Sequence, residues 1–201
     1  MKSSDTQKSP LVIVISGPSG VGKDAVIDAI MGGNRNFYHI VTATTRKRRP
    51  GEVDGVDYHF ITKAEFRRKI TAGEFLEYAE VYGNYYGVLK SEVQRALQEG
   101  KDVILKVDVQ GAATLQKKIP GALFIFLAPS SIDDLLERMV KRNADTEQAI
   151  KVRLDKAREE MESGKLFDHW VINIPDNLDQ TVKTVHGHIN KYRSTKPTVR
   201  I

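Results

Sequence analysis

The segment Gly17–Asp24, which reads GPSGVGKD, directly follows the apolar run Leu11–Ile15. A phosphate-binding loop needs glycines, because backbone N–H groups must close around phosphate oxygens without a Cβ in the way. It also needs a buried strand before it and a helix after it, so that the helix N-terminus points at the anion. The segment therefore predicts a strand–loop–helix unit that binds nucleotide phosphates, with Lys23 reaching the β- and γ-phosphates.

One residue departs from the usual loop pattern. The residue after the lysine is normally Ser or Thr, whose hydroxyl holds Mg²⁺, and here it is Asp24. The segment therefore does not match the strict pattern, and the alternative is a simple glycine turn between a strand and a helix. The predicted strand before it and helix after it favour the phosphate loop. The predicted ATP-binding residues are Gly17, Pro18, Ser19, Gly20, Val21, Gly22, Lys23 and Asp24.

Composition limits the protein class. The 201 residues suffice for one α/β domain with a substantial core. The absence of cysteine excludes a disulfide scaffold, thiolate metal sites and cysteine nucleophiles. No apolar run approaches the ~18 residues of a membrane helix, and the N-terminus lacks the apolar segment of a signal peptide. We therefore expect a cytoplasmic protein with no membrane partner. The net charge of +5 favours anionic ligands without choosing between nucleotides and nucleic acids.

Apolar runs alternate with helical patterns, which predicts an α/β fold of the P-loop NTPase type, a parallel sheet with helices on both faces. The predicted strands are 11–16, 102–107, 122–127 and 170–172. The predicted helices are 23–31, 109–118, 132–141, 146–162 and 178–191. Two insertions are predicted. The first, 37–90, is a mixed α/β subdomain with β-like pieces at 57–61 and 74–81 and a helix opened by the capping box Thr62–Glu65. The second is a pair of highly charged helices between 130 and 165, typical of a moving lid.

The first insertion contains a candidate second anion site. Arg46–Arg49 reads RKRR, and arginine guanidiniums bind phosphate in a bidentate way. Tyrosine hydroxyls nearby can donate to the same oxygens, and Glu77 is a natural acceptor for the guanine N1–H and N2 amino group. The alternative is a solvated basic loop, or a patch for nucleic acid or nuclear import. The neighbouring phosphate loop, tyrosines and acidic residues favour the anion site.

The motifs GPSGVGK, TTRKRRPGEVDGVDY, NYYG and VDVQG, in this order, make the chain similar to guanylate kinases from about Val12 to Asp179. The resemblance implies phosphorylation of GMP, and of dGMP, by ATP with Mg²⁺, in purine nucleotide metabolism. It implies one domain over 10–201, and the polar segment 1–9 before it is expected to be disordered. That domain would comprise a core (10–36, 91–130 and 166–201), a GMP-binding region (37–90) and a lid (131–165).

The resemblance also implies roles for individual residues. Arg46, Arg49, Tyr58 and Tyr86 would hold the GMP phosphate, and Thr42, Glu77 and Asp108 would read the guanine. The predicted GMP-binding set is Thr42, Arg46, Arg49, Glu52, Tyr58, Glu77, Tyr86 and Asp108. The predicted catalytic set is Lys23, Arg46, Arg138, Arg142 and Arg153. For the three lid arginines, exposed helix charge is the alternative. Asn173 matches a position close to the adenine.

Three of the positions that depart from the family pattern lie in or beside these sets. Asp24 replaces the Mg²⁺-binding hydroxyl residue, Lys106 stands where an acidic residue is usual, and Val88 replaces a Ser or Thr that would bond the base. An unpaired, partly buried charge costs several kcal/mol of solvation. We therefore expect Asp24 and Lys106 to be coupled. Asp24 would bind Mg²⁺ or pair with Lys106, and Lys106 would help Lys23 hold ATP.

Other functions remain open at this stage. One is a kinase of the same fold with another acceptor, such as ribose bisphosphate, and Glu77 and Asp108 as base readers argue against it. Another is a non-catalytic guanylate-kinase-like binding module, which usually loses the loop glycines and the lysine that this chain keeps at Lys23. A nucleic-acid binder has little support, because the positive charge is spread along the chain. The sequence leaves the oligomeric state open.

Overall fold

The structure is a computed structural model that describes residues 9–32, 36–141, 147–165 and 167–195. The strands are β1 (Val12–Ser16), β2 (Phe37–His39), β3 (Ala43–Thr44), β4 (His59–Phe60), β5 (Phe75–Val81), β6 (Asn84–Leu89), β7 (Asp102–Lys106), β8 (Leu123–Pro129) and β9 (His169–Asn173). The helices are α1 (Lys23–Met31), α2 (Lys63–Thr71), α3 (Lys90–Gln98), α4 (Val109–Lys118), α5 (Ile132–Lys141), α6 (Glu147–Gly164) and α7 (Leu178–Thr195).

The larger sheet has the order β2-β7-β1-β8-β9, and all of its strand pairs are parallel. Its central strand β1 is wholly buried, because successive side chains point to opposite faces and both faces are covered. Ile13 and Ile15 pack in one apolar cluster with side chains of α1 and α7. Val12 and Val14 pack in a second cluster with side chains of α3 and α4. The predicted parallel sheet with helices on both faces is confirmed.

The first insertion forms a separate sheet with the order β4-β3-β6-β5. Phe66 of α2 stacks on Phe75, with the ring centroids 4.3 Å apart, and this pair forms the centre of a small apolar core. The predicted cap is present, since the Thr62 side chain accepts a hydrogen bond from the Glu65 backbone N–H. The basic and tyrosine-rich loops are therefore fixed by a core of their own.

Local sequence signals located most of the larger elements. The helices α1, α4 and α5 have their predicted bounds, and α7 extends beyond its predicted end to Thr195. Several elements differ from expectation. Strand β2, at the start of the predicted insertion, instead pairs with β7 at the edge of the larger sheet. Helix α3 was not predicted, because most of its residues are polar or charged and it buries only Val93 and Ala96. The stretch predicted as strand at 57–61 is strand only at His59–Phe60.

Within the described ranges, no helix is both long and apolar enough to cross a membrane. Residues 1–8, most of the segment predicted to be disordered, lie outside the described part of the chain.

Candidate functional site

A single cleft of about 870 Å³ joins the phosphate loop to the second anion site. Strands β1 and β7 are parallel neighbours, so the segments that follow them, the phosphate loop and Asp108, meet at the same edge of the sheet. The insertion supplies the opposite wall of the cleft. The predicted residues that line it are Gly17, Ser19, Gly20, Gly22, Lys23, Asp24, Thr42, Arg46, Arg49, Glu52, Tyr58, Glu77, Tyr86, Lys106, Asp108 and Arg153. Pro18, Val21, Val88, Arg138 and Asn173 are not among its lining residues.

The phosphate loop leads directly into α1, as the sequence predicted. The Lys23 ammonium donates hydrogen bonds to the carbonyl oxygens of Gly17 at 2.5 Å and Pro18 at 3.1 Å. Burial lowers the pKa of Lys23 to about 8, although the carboxylates of Glu160 and Asp24 oppose this shift. Lys23 thus lies against the loop with its charge only partly compensated, which suits it to bind an anion.

Asn173 and Arg138 contact the loop outside the cleft. The Asn173 amide and the Arg138 guanidinium both donate to the carbonyl oxygen of Val21, at 2.7 Å and 3.0 Å. Gly22 has a φ of 94°, and a Cβ there would lie 2.7 Å from the Asn173 side-chain nitrogen. A glycine is therefore required for this contact. In this structure Arg138 and Asn173 support the backbone of the loop.

Helix α6 lies over the mouth of the loop. The Arg153 guanidinium donates to the Ser19 hydroxyl at 2.7 Å, so this lid arginine contacts the phosphate loop. Glu160, which was not predicted, is only 4% exposed on the same helix and lines the cleft. Burial raises the pKa of Glu160, while the nearby Lys23 opposes the shift. Arg142 lies outside the described residues.

The candidate second anion site contains an arginine whose guanidinium is already held in place. The Arg46 guanidinium donates to both carboxylate oxygens of Glu52, at 2.6 Å and 3.0 Å. Glu52 also accepts a hydrogen bond from the backbone N–H of Arg49 at 2.7 Å, so the basic loop is folded around this carboxylate. The Arg46 guanidinium lies 5.3 Å from the ring centroid of Tyr58, which contacts the ring of Tyr86 edge-on. All five side chains line the cleft.

Buried acceptors face the cleft beside these arginines. Thr42 is 5% exposed, and neither its hydroxyl oxygen nor Asp108 Oδ2 has a hydrogen-bond partner among the described residues. Asp108 Oδ1 instead caps α4 by accepting from the backbone N–H of Gly111 at 2.8 Å. A Cβ at Gly111 would lie 2.5 Å from Glu77 Oε1, so the missing side chain leaves room for Glu77. Burial, and then the nearby Asp108, raise the pKa of Glu77 to about 8.

The Asp24–Lys106 pair is present. The ammonium donates to Asp24 Oδ1 at 2.5 Å, which is the pairing alternative suggested by the sequence. The Lys106 side chain is 9% exposed and that of Asp24 is 65% exposed. Burial alone would raise the pKa of Asp24, but the charge and hydrogen bond of Lys106 together with the charge of Lys23 hold the pKa of this carboxyl below its usual range. Val88, the third departure, is fully buried in the apolar core against β7.

His39 at the end of β2 is a further cleft residue that the sequence did not reveal. Its Nε2 is buried and has no partner among the described residues. Burial, and then the positive charge of Lys106, lower the pKa of His39 to about 4. The imidazole is therefore neutral at physiological pH. A lone histidine on a three-residue strand carries no sequence signal that would mark it as a site residue.

The chain is similar over most of its length to proteins of one family. The family model described as guanylate kinase matches residues 9–192. The chain is 45% identical to guanylate kinase 2, chloroplastic/mitochondrial, of Oryza sativa subsp. japonica, over 96% of this chain and 68% of the relative. It is 44% identical to guanylate kinase of Clostridium perfringens strain SM101, over 88% of this chain and 81% of the relative. A crystal structure of guanylate kinase from Anaplasma phagocytophilum superposes with a TM-score of 0.75 at 27% identity, covering 94% of this chain and 88% of that one.

The depressed pKa of His39 predicts a pH-dependent stability. Between about pH 4 and pH 6.5 the unfolded chain binds a proton at this residue that the folded protein does not. The free energy of unfolding therefore falls as the pH falls through this range, and His39 contributes up to about 1.4 kcal/mol per pH unit. Urea unfolding of the metal-free and nucleotide-free protein at a series of pH values should show a shallower slope for His39→Gln. Identical slopes for the variant and the parent protein would contradict the assignment.

Proposed function

The chain belongs to the guanylate kinase family and catalyses the ATP-dependent phosphorylation of GMP to GDP, and we propose that it binds ATP at the phosphate loop and GMP at the second anion site. One observation carries this division. A single cleft contains both predicted phosphate-binding groups, and on the side of the basic loop it has buried acceptors without a partner in the described part of the chain. Two anions held in one cleft can react with each other, which is what phosphoryl transfer requires.

On the acceptor side, Arg46 and Arg49 bind the GMP phosphate with the hydroxyls of Tyr58 and Tyr86. Glu52 holds the Arg46 guanidinium in place before the nucleotide arrives, so that less side-chain entropy is lost on binding. The acceptor atoms of Thr42, Glu77 and Asp108 accept hydrogen bonds from the guanine N1–H and N2 amino group. Adenine presents no N–H at those positions, so a buried acceptor would stay unpaired.

On the donor side, the backbone N–H groups of Gly17–Asp24 and the Lys23 ammonium bind the ATP phosphates. Arg138, Arg142 and Arg153 stabilise the transferring group. Arg153 already contacts Ser19, whereas Arg138 contacts the Val21 carbonyl and must change partners to reach a phosphate. Asn173 contributes by holding the loop that lies near the adenine.

The reaction needs positioning and charge stabilisation rather than a base, because a phosphate monoester is already largely dianionic near pH 7. An oxygen of the GMP phosphate bonds to the γ-phosphorus of ATP. The bond from that phosphorus to the β–γ bridging oxygen breaks, and its electron pair stays on ADP. The positive side chains offset the charge on the transferring oxygens, and closure of α5 and α6 keeps out water, which would otherwise accept the phosphoryl group.

Magnesium fits the donor site through Asp24 Oδ2, because the Lys106 ammonium bonds Oδ1 and leaves the second carboxylate oxygen for a metal. Mg²⁺ in nucleotide sites is usually held by one or two carboxylates together with substrate phosphates. Among the described residues no group of three or more His, Asp or Glu side chains could hold a metal by itself, and the exposed Asp24 carboxylate borders the phosphate loop. Bound there, Mg²⁺ would offset the negative charge of the ATP phosphates. We further propose dGMP as a second acceptor, a cytoplasmic location and a place in purine nucleotide metabolism.

A coupled assay with four acceptors tests the assignment. We expect turnover with GMP and with dGMP, whose bases are identical, and little with AMP. We expect none with ribose bisphosphate, which has no base for Thr42, Glu77 and Asp108 to bind. Turnover of ribose bisphosphate in preference to GMP would identify the alternative kinase. Nucleotide binding without any turnover would identify a binding module.

Arg46→Ala should weaken binding at the GMP site without weakening binding at the ATP site. Charge-assisted hydrogen bonds contribute about 1.5–3 kcal/mol each, so loss of Arg46 should weaken GMP binding about 100-fold, a change that calorimetry measures directly. ATP binding should change by less than about threefold, because Arg46 lies on the opposite wall of the cleft. Arg67→Ala, an exposed arginine of α2, is the matched control. Equal losses for both nucleotides would contradict the two-site division.

The raised pKa of Glu77 predicts that GMP binding releases a proton. Glu77 has a pKa of about 8, so its carboxyl is mostly protonated at neutral pH, whereas a guanine reader must accept hydrogen bonds. GMP affinity should therefore rise between about pH 7 and pH 8, by up to about tenfold per pH unit. Calorimetry in buffers of different ionisation enthalpy measures the proton directly. Binding without proton release would mean that Glu77 does not contact the base as a carboxylate.

A further inference from the structure

Lys106 lies where the two nucleotide sites meet. It is the last residue of β7 and pairs in register with Ile15 of β1, immediately before the phosphate loop. Its side chain extends from this edge of the sheet into the cleft. The position follows from the parallel pairing of β1 and β7, so it does not depend on a mobile surface chain.

The ammonium of Lys106 contacts both walls of the cleft. On the phosphate-loop side it donates to the Asp24 carboxylate at 2.5 Å. On the GMP side it lies 4.6 Å from the centroid of the Tyr58 ring. The same ring contacts the guanidinium of Arg46 at 5.3 Å. Lys106 thus shares one aromatic neighbour with the arginine that we assign to the GMP phosphate, and it is ion-paired with the loop that we assign to ATP.

The ammonium retains a donor for a ligand. A lysine ammonium has three N–H donors, and among the described residues Asp24 accepts one and the Tyr58 hydroxyl accepts a second, which leaves one for a ligand. The aliphatic part of the Lys106 side chain is fixed by its neighbours, because only 9% of the side chain is exposed. Its carboxylate partner, Asp24, is 65% exposed. A buried cation with one solvated carboxylate partner remains attractive to a polyanion that enters the cleft.

We propose that Lys106 is a catalytic residue of this kinase that shares its remaining N–H group between the transferring phosphoryl group and the GMP phosphate, while Asp24 holds the ammonium in place. This inference rests on the proposed two-site division and deepens it. Lys106 keeps its protons throughout the transfer. Its ammonium is a positive charge already in position where the phosphates of the two nucleotides meet. Such a charge stabilises the transition state without any rearrangement of the protein during the reaction. Asp24 acts as a positioning residue.

Substitution of Lys106 tests the proposal. We expect Lys106→Met to lower kcat by about 100-fold, as removal of one preorganised donor does elsewhere. The Kd of ATP alone should change by less than about fivefold, since the ammonium contacts the transferring group fully only when both nucleotides are present. The Kd of GMP alone should rise by about tenfold through the lost contact with its phosphate, so the larger loss remains in kcat. Lys106→Arg should recover part of the lost kcat, because it keeps the charge but alters its reach. Lys117→Met, at an exposed lysine of α4, is the matched control and should leave kcat unchanged.

The outcomes are separable. An unchanged kcat in Lys106→Met overturns the proposal, and so does a loss that appears only as weaker binding of ATP alone. A drop in kcat accompanied by a lowered Tm that Lys106→Arg does not recover assigns Lys106 a structural role. If GMP is not phosphorylated by the unsubstituted protein, the proposed function itself fails, whatever the variants show.

A measurement on the unsubstituted protein covers the case in which Lys106→Met does not fold. With ¹⁵N-labelled lysine, the Lys106 ammonium resonance should shift strongly in the unreactive complex with ADP and GMP, and less with either nucleotide alone. The same shift with ADP alone and with ADP plus GMP would place the ammonium at the donor site only and would contradict the proposal.

Discussion

The parallel pairing of β1 with β7 is the constraint on which the site depends. It brings the ends of two buried strands to one edge of the sheet, so the phosphate loop, Lys106 and Asp108 become neighbours although they are far apart in sequence. The pairing is stable because alternate residues of β1 fill two apolar clusters, one on each face of the sheet. The smaller sheet, with its own aromatic core around Phe66, then supplies the opposite wall.

Several polar side chains in the cleft are buried without a hydrogen-bond partner among the described residues, which elsewhere in a protein would destabilise the fold. Thr42, His39, Asp108 and Glu160 each have a buried polar atom without a partner among the described residues, and all four line the cleft. A buried unpaired group costs about 1–3 kcal/mol, so such groups are retained where a ligand pairs with them. The same burial raises the pKa of Glu77 and lowers that of Lys23 and His39. The cleft therefore offers both charged groups and unpaired hydrogen-bonding groups to a charged ligand.

The sequence predicted features whose residues are neighbours in the chain better than features formed by residues that meet only in the folded protein. The phosphate loop was predicted because its glycines and the preceding strand are contiguous. The Asp24–Lys106 pair was inferred across 82 residues, because two departures of opposite charge stood out together. His39 and Glu160 were missed, since one sits on a three-residue strand and the other is one acid among many on α6. The orientation of Val88 into the core depends on tertiary packing that no local pattern encodes.

The account is tested most directly by a crystal structure of the protein with ADP and GMP bound together. We expect the ADP phosphates on Gly17–Asp24 and the GMP phosphate on Arg46, Arg49, Tyr58 and Tyr86, with the guanine against Glu77 and Asp108 and the Lys106 ammonium between the two nucleotides. GMP bound away from the arginines and tyrosines of the insertion would contradict the account.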